Sequence, residues 1–267
     1  MRRVALAGFG AIGAVVGDRL NLGIEGLELT AVAVRDRDKA RRRMAGYGQP
    51  PILAELAQLA GHADIVVECA PAAVFGQVAE PAIRAGRILI PASVGALLTR
   101  PDLIDLAGET GARIIVPTGA LIGLDAVRAA AEGEIRSVAL VTRKPPGALA
   151  GAPYLVAKGI ELDGLAAPLK VFEGSARDGA RGFPANVNVA AALSLAGIGP
   201  DRTRLEIWAD PGIDRNQHRI EVEADSARFT MTIETVPSAE NPRTGRITPL
   251  SVIATLRALV DPLKVGT

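Results

Sequence analysis

The first two dozen residues constrain this chain more than any other stretch. Arg3 to Ala7 is a β-branched and apolar run, and Gly8-Phe9-Gly10-Ala11-Ile12-Gly13 follows it as G-x-G-x-x-G. From Ala11 to Leu22 the apolar residues fall at helical spacing, with Asp18 and Arg19 on the outer side. The pattern alone is weak, because a chain with 29 glycines produces accidental spacings. Placed between a strand and a helix, it acquires a mechanism. Gly8 permits the tight turn, Gly10 lets the backbone approach a pyrophosphate, and Gly13 lets the helix pack on the strand. The helix N-terminus, with the amides around Ala11 and Ile12, faces the phosphates. A dinucleotide is therefore the expected ligand.

The rest of the first half continues that rhythm. Leu29 to Val34, Asp64 to Glu68, Arg87 to Ile90 and Arg113 to Val116 read as buried strands. Helical patterns lie between them, at Asp38 to Met44, Ile52 to Leu59, Pro71 to Arg84 and from Pro101-Asp102 onward. Strands this apolar, joined by crossover helices, predict a parallel sheet covered on both faces. After Val116 the pattern changes. Ala120 to Ala131 and Asn186 to Ala196 read as helices, Ile135 to Arg143 as a strand, and Lys144 to Pro153 as a loop. Thr203 to Ala209, His218 to Ala224 and Arg228 to Thr235 then read as a strand meander. His218, Ile220 and Val222 alternate with Arg219, Glu221 and Glu223, so one face is buried and the other wet. The expected fold is α/β: an N-terminal Rossmann-type doubly wound sheet plus an α+β catalytic domain with an antiparallel sheet. The expected domains are 1–120 and 121–246, with a last helix at about 247–267 packing back on the first.

Composition narrows the function. Thirty basic residues against 29 acidic ones leave no field that favours nucleic acid or an anionic membrane. The longest uncharged stretch, Gly182 to Pro200, carries Asn186, Asn188 and Pro184, which makes a poor membrane span. Met1-Arg2-Arg3 leads straight into the first strand and no signal peptide is expected. One cysteine, Cys69, excludes an intramolecular disulfide framework and any all-cysteine metal site. Asp210, Asp214, Glu221 and Glu223 read as a solvated set rather than a metal site, and no metal is expected. The composition is that of a cytoplasmic protein acting on a small molecule. A sheet with one exposed face suggests a homodimer.

Asp36, after the second strand, is the candidate acid for the adenosine ribose hydroxyls, which favours NAD. Arg35 and Arg37 flank it and suit a 2′-phosphate instead, so NAD and NADP both stay open.

Several stretches resemble the L-aspartate dehydrogenase family. They are Val67-Glu68-Cys69-Ala70-Pro71 with Ala92-Ser93-Val94-Gly95-Ala96-Leu97, Thr142-Arg143-Lys144-Pro145-Pro146, and Phe183-Pro184-Ala185-Asn186-Val187-Asn188-Val189-Ala190-Ala191. Asp214 to Glu223, Glu240-Asn241-Pro242-Arg243-Thr244 and Ser251 to Leu256 resemble it most. The likeness spans nearly the whole chain in order. It implies NAD- or NADP-dependent oxidation of L-aspartate to iminosuccinate, which hydrolyses to oxaloacetate and ammonia, and it suggests NAD biosynthesis as the pathway. It further implies that His218, in Asn216-Gln217-His218-Arg219-Ile220, is catalytic and that Asn188 contacts the nicotinamide side of the cofactor. The family's S-G-A-I-A-G-L-D turn corresponds to Thr118-Gly119-Ala120-Leu121-Ile122-Gly123-Leu124-Asp125, so its cofactor contact falls to Ala120 or Ile122.

On chemistry alone, a histidine accepts and returns a proton near neutral pH, as amine oxidation and imine hydration require. A dicarboxylate substrate needs cationic donors. Arg143 and Lys144 lead, with Asn241, Arg243 and Thr244 next. His62 and Cys69 read as structural. The rivals are another amino- or imino-acid dehydrogenase or reductase, such as one acting on homoserine, and a non-catalytic dinucleotide sensor.

Overall fold

Six apolar runs pair in parallel as β1 (Arg2–Ala7), β2 (Leu27–Ala33), β3 (Ile52–Leu53), β4 (Ile65–Glu68), β5 (Ile88–Pro91) and β6 (Arg113–Ile114), in the order β3-β2-β1-β4-β5-β6. This computed structural model describes residues 1–184, 187–238, 240, 241 and 244–266. Val4, Ala5, Leu6 and Ala7 are all fully buried, as are Ile65, Val66 and Val67. Consecutive buried residues mean that both faces of the sheet are covered. Val4, Leu6, Ile65 and Val67 pack with Val16 and Leu20 of helix Gly13–Asn21 and with Val252 and Leu256 of helix Ile247–Ala258. Ala5, Ala7 and Val66 turn the other way, onto Phe75, Val78 and Ile83 of helix Phe75–Arg84. The strand order reverses between β1 and β4, which creates the switch point where such sheets bind ligands.

One expected helix is absent. Ile52 to Leu59 supplies instead the edge strand β3, a 3-10 turn at Leu56–Gln58 and a short helix at Leu59–His62. Pro50-Pro51 holds the preceding chain extended, and Ile52 and Leu53 pair with Ala31 and Val32. Only at Glu55, whose N–H donates to Gln58 Oε1 at 3.1 Å, does a capping box start helical structure.

A second unit is built on Thr118–Ile247. Its strands are β7 (Ile135–Lys144), β8 (Leu169–Ser175), β9 (Thr203–Ala209), β10 (Asn216–Ala224) and β11 (Arg228–Thr235), in the order β11-β10-β7-β9-β8. The sheet is antiparallel at three of its four joins, whereas β7 and β9 pair in parallel. Crossing from β7 to β9 takes the chain through helix Pro153–Lys158, β8 and helices Ala176–Gly182 and Asn188–Ala196, a connection long enough for a parallel return. The span expected as a loop after Lys144 thus contains helix Pro146–Leu149 and leads into further structure. On β10 residues 216, 218, 220, 222 and 224 are buried, and the intervening ones are not. Helix Asn188–Ala196 covers that inner side, touching β9 and helices Leu124–Ala131 and Ala176–Gly182.

Candidate active site

The glycine turn leaves β1 at the switch point. Gly8 has φ of +96°, and a Cβ there would lie 2.6 Å from the Cys69 carbonyl oxygen. A Cβ on Gly13 would lie 2.1 Å from the Gly8 carbonyl. Neither position has room for a side chain, since Gly8 N–H donates to Ala33 O at 2.8 Å and Cys69 Sγ donates to Gly8 O at 3.5 Å. Gly10 is the opposite: nothing lies within 4 Å of its Cβ position, and the residue is exposed. Open space above Gly10, with Ala11 and Ile12 leading into helix Gly13–Asn21, makes a cradle that an added methyl would fill. These residues fit a dinucleotide pyrophosphate at a helix N-terminus.

Arg35 and Asp36 follow β2 and are exposed. Asp36 caps helix Arg37–Arg43, its Oδ1 accepting from Lys39 N–H at 2.9 Å. Arg37 is drawn into an ion pair with Glu55, which leaves Arg35 as the better placed of the two flanking arginines to meet an anion. Below the turn, Glu68 closes β4 fully buried. Its oxygens accept from Ala70 N–H, Ser93 N–H and Ser93 Oγ, each at 3.0 Å. Burial nonetheless pushes its pKa up to about 7. Residue patterns missed this joint, although an acid ending an apolar strand run is its signal.

The second unit holds the histidine. His218 is 2% exposed and stands opposite Thr142 on the antiparallel β7–β10 pair. Its Nδ1 lies 3.0 Å from Thr142 Oγ1. Lys144, two residues along the same face of β7, is 5% exposed. Burial, and then the Lys144 charge, push the His218 pKa down to about 3, so the ring is neutral at physiological pH. Asn216, also buried, shares this face.

Arg143 does not. Adjacent residues on a strand face opposite ways, and its guanidinium donates to Asp210 at 3.0 Å and lies 4.9 Å over the Trp208 ring. It lines a groove on the outer face with Glu206, Gln217 and Arg219. Arg219 in turn pairs with Glu221 at 2.8 Å, and Glu223 with Arg228. The structure therefore brings Lys144 together with His218 and turns Arg143 away. Asn241 is exposed and closes a turn, its Nδ2 donating to Thr244 Oγ1 at 3.2 Å. Asn188 is half-buried and opens helix Asn188–Ala196. Ala120 and Ile122 are half-buried in the turn before helix Leu124–Ala131, where Leu121 N–H donates to Thr118 O at 3.0 Å. Asn186 and Arg243 lie outside the described residues.

A parallel sheet with a glycine cradle at its switch point, and a second sheet with a neutral histidine on its inner face, define a dinucleotide-dependent oxidoreductase. Residues 125–259 match the C-terminal domain of aspartate dehydrogenase, and residues 8–117 match the NAD-binding domain of homoserine dehydrogenase. An L-aspartate dehydrogenase of Bradyrhizobium diazoefficiens is 58% identical over 99% of this chain and 94% of its own length. L-aspartate dehydrogenase 3 of Bordetella bronchiseptica is 55% identical over 99% of this chain and 97% of its own. The crystal structure of aspartate dehydrogenase from Thermotoga maritima shares the fold, with a TM-score of 0.74 at 24% identity and full coverage of both chains. The chain belongs to the L-aspartate dehydrogenase family.

Proposed function

We propose that this chain oxidises L-aspartate to iminosuccinate with NAD or NADP and that His218 drives hydrolysis of the imine to oxaloacetate and ammonia. The observation that carries the reading is the neutral His218 beside Lys144 on one buried face. When bound, the nicotinamide ring supplies the hydride acceptor. Gly8, Gly10, Ala11, Ile12 and Gly13 are the residues to hold the pyrophosphate, Ala120 or Ile122 and Asn188 those to meet the nicotinamide half. Asp36 supports ribose binding in NAD, and Arg35 supports the 2′-phosphate of NADP. Lys144 offers its ammonium to a substrate carboxylate, with Asn241 as a further donor.

His218 then works as base and acid. Its neutral ring takes a proton from the water that adds to the imine carbon, and returns it to the departing nitrogen as the carbon–nitrogen bond breaks. A bound dicarboxylate offsets the Lys144 charge and raises the ring's proton affinity when the proton must be held. The outer face of the second sheet supports the expected homodimer. A cytoplasmic enzyme that provides iminosuccinate for NAD biosynthesis fits the same reading. Among the described residues no helix is long and apolar enough to cross a membrane.

The test is reduction of NAD and NADP by L-aspartate, with D-aspartate, L-glutamate and L-homoserine beside it. L-Aspartate alone should give turnover, and His218→Asn should lower it about 10²–10⁴-fold while still binding cofactor. Turnover confined to L-homoserine, or a fully active His218→Asn, would sink the proposal.

A further inference from the structure

We propose that Thr142 is a positioning residue that holds the proton of His218 on Nδ1 and so keeps Nε2 free as the working base. The inference rests on the reading of His218 as proton acceptor. Thr142 and His218 are both 2% exposed, and they face each other directly across β7 and β10. A threonine hydroxyl both donates and accepts, so the 3.0 Å contact serves either tautomer. The chemistry selects between them. With Nδ1 engaged by Thr142, the substrate side is left to Nε2. A ring that takes a proton there must start with an Nε2 lone pair, which puts the hydrogen on Nδ1 and makes Thr142 Oγ1 its acceptor. The opposite tautomer would present an N–H to the water that has to be deprotonated. A partner on one imidazole nitrogen commonly decides the state of the other.

Placement on the strand explains why a hydroxyl is needed. Thr142 lies between Leu140 and Lys144 on the inner face. An aliphatic residue there would leave a buried ring nitrogen without its partner, and a longer polar one would crowd the opposed histidine.

The chain has two histidines, His62 and His218, so proton-detected nitrogen spectra of protein labelled at histidine contain only two rings to assign. In the free enzyme His218 should carry its proton on Nδ1, with His62 as internal reference. Thr142→Val should move the His218 proton to Nε2 and lower kcat about 10–100-fold, the usual effect of removing an orienting partner. Its cofactor Kd should stay within about twofold, well under the tenfold that 1.4 kcal/mol represents. Thr142→Ser should restore both tautomer and rate. A wild-type His218 protonated on Nε2 overturns the assignment even if Thr142→Val does not fold. Unchanged tautomer and rate in a folded Thr142→Val also overturn it. Because the tautomer is read without substrate, a chain inactive on L-aspartate but showing Nδ1–H that Thr142→Val removes would support the Thr142 assignment while rejecting the substrate.

Discussion

The glycine turn of the first sheet and the inner face of the second are sites of opposite construction. The turn is made of missing side chains: Gly8 and Gly13 have no room for a Cβ, while Gly10 has nothing near it. The inner face is made of present ones, Thr142, Lys144 and His218, brought together by pairing across 76 residues of sequence. A backbone site depends on local conformation and shows itself in a short motif. A side-chain site depends on register, and one residue of slip would send every member to the other face.

Substitutions should separate the two along that line. His218→Asn should lower turnover about 10²–10⁴-fold and leave cofactor affinity intact. Gly10→Ala should do the reverse: the fold accepts the methyl, and cofactor Kd rises about tenfold or more, near 1.4 kcal/mol, by equilibrium titration. Gly8→Ala should instead lower stability by about 1–3 kcal/mol, because it strains the positive φ and meets Cys69. An unfolding midpoint unchanged by Gly8→Ala would break the distinction between the cradle's floor and its opening.

The pH dependence of stability separates the two sites by sign, because their buried groups oppose each other. His218 is held near 3 in the fold against an ordinary value of 6.5, so the unfolded chain binds its proton more readily. That contribution is fully present above 6.5 and is lost as pH falls toward 3. Glu68, raised to about 7 by burial from an ordinary 4.5, binds its proton more readily in the fold. Its contribution is present below 4.5 and is lost as pH rises through 7. Urea midpoints measured across this range should rise less steeply with pH in His218→Asn than in wild type. In Glu68→Gln they should rise more steeply, and identical slopes in all three proteins would contradict the burial of these groups.

How much of this was legible in sequence follows from the same physics. The parallel sheet and the strands β9, β10 and β11 could be read because their apolar runs are long and bounded, but the expected meander is not formed: β7, from earlier in the chain, lies between β9 and β10. β8 was not legible, since a register shift between Lys170 and Phe172 breaks the alternation that marks a strand. The edge strand at Ile52–Leu53 escapes sequence reading because two apolar residues cannot reveal whether they pair at a sheet edge. At the candidate site, parity along Val138, Leu140, Thr142 and Lys144 already separates Lys144 from Arg143. Ala139 and Val141, apolar on the other face, obscure it. The Thr142–His218 contact joins distant segments and no local pattern carries it, while of the Glu68–Ser93 contact only the acid that ends an apolar run shows locally.

The proposed reaction places substrate chemistry on the inner face of the second sheet. The direct measurement is KM for L-aspartate in Lys144→Met and Arg143→Met at saturating cofactor. Loss of a charged hydrogen-bond donor worth about 1.5–3 kcal/mol should raise KM roughly 10- to 150-fold in Lys144→Met. Arg143→Met, which gives up the Asp210 pair and the Trp208 stack on the outer face, should stay within about threefold, under the tenfold of 1.4 kcal/mol. A large rise in Arg143→Met beside an unaffected Lys144→Met would contradict the claim and move the substrate to the outer face.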